Sequence, residues 1–161
     1  LGLLHASSTF VGQNMGARQV GRAEKGATYA AWIGFGALTI IGIVFYFSAE
    51  PLVRAFLDST DEVVGMGVDF LKITSLAFGF MGAQLALVGT LRGSGNTVES
   101  MILAIIGIWI IQFPFAWITS EMESFQEFGV WWSFPVSYVI PCILTVAWFK
   151  MGRWKKKKLV D

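Results

Sequence analysis

Side chains that commonly perform enzyme chemistry are few and scattered in this sequence of 161 residues. Cys142 is the single cysteine and His5 the single histidine, and they lie far apart in the chain. A lone cysteine in an apolar stretch provides neither a disulfide framework nor metal-ligand spacing, which favours a packing role. His5 is interpreted as a polar residue at a helix end. No nucleophile, base and metal constellation is visible, so we predict neither an enzyme nor a metal or cofactor site.

A glycine-rich segment, Thr90-Leu91-Arg92-Gly93-Ser94-Gly95-Asn96-Thr97, is the next candidate for chemistry, because such segments can cradle phosphates. Here the apolar run before it is too long for a strand, and no Lys-Ser/Thr pair follows it, so nucleotide binding is not predicted. Gly93 or Gly95 can adopt the left-handed conformation that ends a helix. Asn96, with Glu99 three residues later, has the pattern of a capping box that starts the next helix. The segment therefore predicts a tight hairpin between two helices.

The elements that carry these residues are long and apolar. A helix needs about 20 apolar residues to cross a bilayer, and a charge at its centre costs at least about 2.5 kcal/mol. Hydrophobic residues make up 55% of the chain and the mean hydropathy is +0.62. We predict an all-α integral membrane protein in which residues 1–17 end a preceding span and start a loop, and residues 18–161 form a four-helix unit. Four stretches contain no ionisable side chain: 26–49, 73–91, 100–120 and 128–149. The predicted spans are about 27–49, 60–91, 100–119 and 128–149.

Charged residues between the spans alternate in sign from one side to the other. Lys and Arg near membrane ends are retained on the cytoplasmic side. One set of loops and the tail 150–161 hold ten cations, against two in the opposite set, which places the C-terminus in the cytoplasm. The ten are Arg18, Arg22, Lys25, Arg92, Lys150, Arg153 and Lys155 to Lys158. The run of lysines is interpreted as a topology anchor attracted to anionic lipid, and nucleic-acid binding is not predicted.

The outer segment between the first two spans has its own signals. Residues 51–57 predict a short amphipathic helix at the membrane surface, with Arg54 toward water and the apolar side chains, Phe56 among them, turned inward. Ser59 and Glu62 form a capping-box pattern, so the second span starts near Thr60. As one helix over 60–91 it would be about 48 Å long, and we expect it to tilt or project outward from a hydrocarbon layer of about 30 Å.

Small and polar residues mark the faces of the spans. Asp69 and Lys72 are expected in the wetter, outer part of the second span. The small residues of that span form one stripe at helical spacing, which predicts a close helix contact. The stripe consists of Gly82, Ala86, Gly89 and Gly93. Gln84, a strongly polar side chain farther in, either hydrogen-bonds a neighbouring helix or lines a polar cavity.

Proline and tryptophan give local predictions for the last two spans. Pro114 lies mid-span, where it removes a hydrogen bond and should kink the helix, and the final span holds Pro135 and Pro141. Tryptophans cluster near the ends of the final span, which is typical of interfacial belts. They are Trp131, Trp132, Trp148 and Trp154.

Two loop motifs carry a resemblance to a known family. Val11-Gly12-Gln13-Asn14-Met15-Gly16-Ala17-Arg18, with Gly21-Arg22-Ala23 after it, is the first, and the segment 90–97 is the second. Together they resemble the multidrug and toxic compound extrusion (MATE) family, whose members carry V-G-Q-x-x-G-A in one cytoplasmic loop and L-R-G-x-G-[DN]-T in the next. Gly129-Val130-Trp131-Trp132 and Gly152-Arg153-Trp154 look like the family's C-terminal pattern. The resemblance covers nearly the whole chain.

The resemblance implies twelve helices in two pseudo-symmetric lobes of six, of which this chain would supply the end of helix 8 and helices 9 to 12. The lobes share their loop motifs, and the basic tail favours the C-terminal half. Family members are secondary antiporters of the cell membrane that expel amphipathic or cationic organic compounds while Na⁺ or H⁺ moves inward, by rocking of the lobes. Coupling needs an ionisable group inside the membrane. These spans have none, so the coupling site is expected in a missing N-terminal lobe.

The resemblance also implies which residues meet the substrate and which shape the loops. Flexible, amide and aromatic side chains suit promiscuous binding of small organic compounds, so the cavity candidates are Met81, Gln84, Gln112 and Tyr138. The motif residues are interpreted as structural, shaping cytoplasmic turns so that the lobe moves as one body. They are Gly12, Gln13, Gly16, Arg92, Gly93 and Gly95.

Two other functions are compatible with four spans. A flippase for lipid-linked oligosaccharides, from the same superfamily, is expected to expose basic residues in its cavity to meet a diphosphate. None of the four apolar stretches contains Lys or Arg. A membrane scaffold subunit without transport activity is the other alternative. It would leave the glycine stripe without helices to contact.

Overall fold

A computed structural model describes residues 1–57, 60–122 and 126–156, and every regular element in these ranges is helical. The α-helices are α1 (Gly2–Gly16), α2 (Val20–Phe47), α3 (Ala49–Phe56), α4 (Asp61–Ser75), α5 (Phe78–Gly93), α6 (Thr97–Ile105), α7 (Phe113–Ser120) and α8 (Gln126–Lys150). A π-helix, Ile106–Gln112, joins α6 to α7, and a 3₁₀ turn, Arg153–Lys156, follows α8.

Three helical segments of the described chain are long and apolar enough to cross a membrane: Val20–Phe47, Thr97–Ser120 and Phe128–Lys150. Helices α4 and α5 meet the same criterion as a pair, which gives a fourth span. Most of the three single segments is exposed to the outside of the chain, as expected for helices that contact lipid. The predicted all-α membrane fold is confirmed.

The second span is bent, whereas the sequence predicted one continuous helix over 60–91. Helices α4 and α5 meet at an angle of 49°, with Leu76 and Ala77 between them. At the bend, the Ala77 amide donates to the Thr74 carbonyl and the Ser75 hydroxyl donates to the Lys72 carbonyl, both at the tighter three-residue spacing. The segment is therefore shortened along its length by a bend. Because no proline or glycine occupies positions 76 and 77, the sequence carries no breaker signal here.

The third span confirms a disturbance at Pro114 but of a different kind from a simple kink. The π-helix runs up to α7, and the Phe113 amide donates to the carbonyl of Ile108, five residues back. Proline has no amide hydrogen to donate to the carbonyl four residues before it. The wider turns just before Pro114 shift the pattern of backbone hydrogen bonds in this helix from four-residue to five-residue spacing. Gly107 lets this segment approach α8, since a Cβ there would lie 3.0 Å from Pro141 Cγ.

Helix α5 is the centre of the bundle and packs against α1, α2 and α8. The predicted stripe of small residues makes these contacts, but with two partners. An added Cβ on Gly82 would collide with the Gly34 carbonyl of α2, while Cβ atoms on Gly89 and Gly93 would collide with backbone of α1 at Leu4 and Ser8. The stripe thus allows backbone-to-backbone packing.

The outer segment forms the predicted short helix, α3, and it is joined to α4 by charge. Arg54 Nε donates to Glu50 at 3.1 Å and its Nη2 to Asp61 at 3.2 Å, and these hydrogen bonds raise the pKa of Arg54. Helix α4 begins directly after Thr60, as predicted, while Ser59 lies outside the described residues. Phe56 is 87% exposed, so it faces away from the other helices of the chain. With α3 tied to Asp61 of α4 through Arg54, the Phe56 side of the helix remains available to lipid.

Candidate functional site

The two loop motifs, far apart in sequence, lie against each other at one end of the bundle. A Cβ on Gly12 would lie 3.3 Å from the carbonyl oxygen of Gly93. Gly93 in turn lies directly on the backbone of Ser8. A side chain at Gly93 would separate α1 from α5, and one at Gly12 would press on the Gly93 carbonyl.

A buried hydroxyl pair holds α1 and α5 together one turn farther into the membrane. Ser7 Oγ donates to the Ala86 carbonyl at 2.8 Å and lies 3.0 Å from Thr90 Oγ1. Thr90 Oγ1 also lies 3.1 Å from the same carbonyl. Ser7 was not among the residues predicted from the sequence, and only its position one helical turn before the first motif could have indicated it.

The second motif makes the predicted hairpin by a different set of contacts. Gly95 has the left-handed conformation, with φ of 77°, whereas Gly93 is the last residue of α5. The capping box predicted for Asn96 and Glu99 is wrong, since no side chain caps α6. Asn96 Nδ2 donates back to the carbonyl and hydroxyl oxygens of Ser94, at 3.3 and 2.9 Å. Asn96 therefore fixes the turn, because its side-chain amide is held by the oxygens of Ser94 and does not cap α6.

The other motif residues lie around these turns. Gly16 is the last residue of α1, and the left-handed residue of that turn is Arg18, with φ of 58°. Gln13 is exposed, and its carbonyl accepts from the Ala17 amide. Arg92 is exposed, and its Nε lies 3.4 Å from Ser100 Oγ. The side chains of Gln13, Arg18 and Arg92 therefore lie on the surface where the two loop motifs meet.

Trp154 lies inside this region, which corrects its assignment to an interfacial belt. It is fully buried, stacks on Phe149 with ring centroids 5.0 Å apart, and its Nε1 donates to the Phe149 carbonyl. Gly152, with φ of 70°, reverses the chain after α8 so that the ring folds back. We call the buried group it joins the motif core: Val11, Met15, Ala23, Ala27, Leu87, Phe149 and Trp154.

The four predicted cavity residues lie on three elements and are all partly buried. Met81 and Gln84 are on α5, Gln112 ends the π-helix, and Tyr138 is on α8. Gln84 Oε1 is buried and has no hydrogen-bond partner among the described residues. The role of Gln84 in a cavity stays a prediction.

The single cysteine and the single histidine have simple environments. Cys142 is buried within α8, as a packing residue would be, while His5 is exposed on α1. The described part of the chain contains no group of three or more His, Cys, Asp or Glu side chains arranged to hold a metal. The chemistry offered by this region is therefore close helix packing with a few polar groups at its edges.

A family model described as MatE matches residues 1–118, which include both loop motifs. The chain belongs to the MatE family. This agrees with the resemblance seen in the two motifs, and the geometry now shows that these motifs touch.

Curated relatives of this MatE chain cover almost all of it. A probable multidrug resistance protein NorM of Mesorhizobium japonicum is 30% identical over 162 residues, covering 95% of this chain and 34% of that protein. The probable multidrug resistance protein YoeA of Bacillus subtilis is 23% identical over 154 residues, covering 96% of this chain and 33% of its own length. The chain spans about a third of the length of these relatives.

A solved structure shares the fold. It is described as the inward-facing conformation of a multidrug resistance MATE family transporter of the MOP superfamily, and it matches 98% of this chain with a TM-score of 0.88 at 21% sequence identity. The match covers 37% of that transporter chain. The arrangement of α1 to α8 is therefore that of a part of a MATE transporter, and the chain is a multi-pass membrane protein.

Proposed function

We propose that this chain is part of one lobe of a secondary antiporter that exports amphipathic or cationic organic compounds in exchange for Na⁺ or H⁺. The observation that carries the proposal is the MatE match over residues 1–118, and the multidrug resistance relatives support the substrate class. The family placement favours transport over enzymatic activity. The remaining two thirds of the transporter would supply the other lobe and the rest of this one.

The packing of the motif region supports a lobe that moves as one unit. Glycines of α5 contact the backbones of α1 and α2 without intervening side chains, and the hydroxyl of Ser7 bridges α1 to α5. Close-packed interfaces of this kind have discrete arrangements and deform little. In an alternating-access cycle the lobe would therefore rock as a body around a central cavity.

Coupling to an ion would depend on residues outside the charge-free stretches. An ionisable group whose charge or occupancy changes is needed inside the membrane, and stretches 73–91, 100–120 and 128–149 have no Asp or Glu. We place the coupling carboxylates in the other lobe, and the partly buried Gln84, with its free acceptor, among the groups that contact substrate from this lobe. The same charge pattern supports a cytoplasmic position for the motif loops and the C-terminus.

Transport by the intact protein reconstituted in vesicles tests the proposal. We expect vesicles with an imposed Na⁺ or H⁺ gradient to move ethidium against its own gradient, and movement to stop when the gradient is dissipated by an ionophore. Separate Na⁺ and H⁺ gradients identify the coupling ion. Absence of gradient-driven movement of ethidium and of other organic cations would contradict antiport.

A further inference from the structure

A cleft opens on the side of the bundle where α2 passes the bend between α4 and α5. Its volume is about 260 Å³, and its walls are mostly carbon. It is lined by Thr39, Gly42, Ile43, Tyr46, Phe47, Ser75, Leu76 and Gly79. Leu76 and Phe47, at its mouth, are 59% and 81% exposed. At the floor of the cleft α2 meets the bend closely, since a Cβ on Gly42 would lie 2.6 Å from the Ser75 carbonyl oxygen.

A cation lies at one end of the cleft. Lys72 Nζ is 5.9 Å from the ring centroid of Tyr46, which is one of the lining residues. Within the described ranges, Lys72 forms no ion pair, although Asp69 is only three residues away on α4. The ring of Tyr46 holds the ammonium beside the cleft and leaves its donors available to an anion.

The depth of Lys72 matches the level of lipid headgroups. Helix α5 has 16 residues, which makes it about 24 Å long at 1.5 Å per residue. Lys72 lies two turns beyond its start, so it is close to the outer boundary of a hydrocarbon layer of about 30 Å. The cleft itself lies below this boundary, at the level of acyl chains.

We propose that the cleft binds one anionic glycerophospholipid, with its phosphate on Lys72 and an acyl chain along Gly42, Ile43 and Gly79. The apolar cleft complements the acyl chain of such a lipid, and the unpaired cation at headgroup depth complements its phosphate. A zwitterionic lipid carries its own cation and gains less from Lys72. The site is independent of the transport proposal and requires only that the bundle be inserted in a bilayer.

Lipid binding to the intact, detergent-solubilised protein tests this site. Native mass spectrometry and thermal unfolding are measured with phosphatidylglycerol, with phosphatidylcholine of the same acyl chains, and with soluble glycerol phosphate. We expect phosphatidylglycerol to be preferred by the wild type and by K72R, and K72Q to bind it about fivefold more weakly. R54Q removes another outer cation, one already paired with Glu50 and Asp61, and should keep the preference.

A second variant tests the contribution of the apolar cleft separately from the charge of Lys72. L76W fills the mouth of the cleft while Lys72 remains, so it should also weaken phosphatidylglycerol binding. The proposal is overturned if K72Q keeps the preference, if L76W binds as tightly as the wild type, if both lipids bind equally, or if glycerol phosphate alone reproduces the effect. Failure of the wild type to retain any lipid would likewise overturn it, because another part of the protein would then cover the cleft.

Discussion

Individual glycines set the distance between helices in the motif region. At Gly89 and Gly93 the absence of a Cβ lets backbone meet backbone, and at Gly12 it avoids a tight contact with the Gly93 carbonyl. The sequence predicted the stripe on α5 because small residues at helical spacing are a strong signal. It did not predict that Gly12 belongs to the same contact, because nothing in a sequence pairs residues so far apart. The capping box failed for a local reason, as Ser94 offers Asn96 two acceptors within its own turn.

Replacing Gly89 by alanine should destabilise the protein. The new methyl group would collide with the Leu4 backbone, and overpacking of this kind costs about 1–3 kcal/mol. Gly36 on α2 is the matched control, since nothing lies within 4 Å of a Cβ there. We expect G89A to lower the midpoint of thermal unfolding in detergent and G36A to leave it unchanged or raise it. Equal midpoints for the two variants would argue against the backbone contact.

At the scale of elements, the fold depends on breaks as much as on helices. The long apolar helices were predictable from charge-free stretches, and so was the short helix α3. The bend at residues 76–77 and the π-helix before Pro114 were not, because both arise where one helix meets another: Ser75 against Gly42, and Gly107 against Pro141. The position of Trp154 was predicted wrongly because the pattern of apolar residues does not show that Gly152 reverses the chain.

Trp154 should contribute strongly to stability although it follows the last span. Truncation of a buried tryptophan leaves a cavity and costs about 3–5 kcal/mol, and W154A would open one in the motif core. W109A is the control, since Trp109 is 66% exposed and in the third span. We expect thermal unfolding in detergent to show a large loss for W154A, a smaller one for W154F, which keeps the stacking on Phe149, and little change for W109A. A W154A variant as stable as W109A would contradict the buried position.

At the scale of the whole molecule, the charge pattern predicts the orientation in the membrane. Cysteines placed at exposed positions of a C142A background, Q19C between α1 and α2 and E62C at the start of α4, should report opposite sides of the membrane. We expect a membrane-impermeant maleimide to label E62C in intact cells and Q19C only after permeabilisation. Labelling of Q19C from outside would reverse the proposed topology and remove the motif loops from the cytoplasm.

The central proposal is that this chain belongs to one lobe and that the coupling carboxylates lie in the other. Drug efflux in living cells tests it most directly. Cells lacking their own efflux pumps would express either residues 1–161 alone or the full-length protein, and ethidium accumulation would be measured in each. We predict low accumulation with the full-length protein and no difference from empty cells with residues 1–161 alone, since the charge-free stretches of the spans carry no carboxylate. Efflux by residues 1–161 alone would contradict the account.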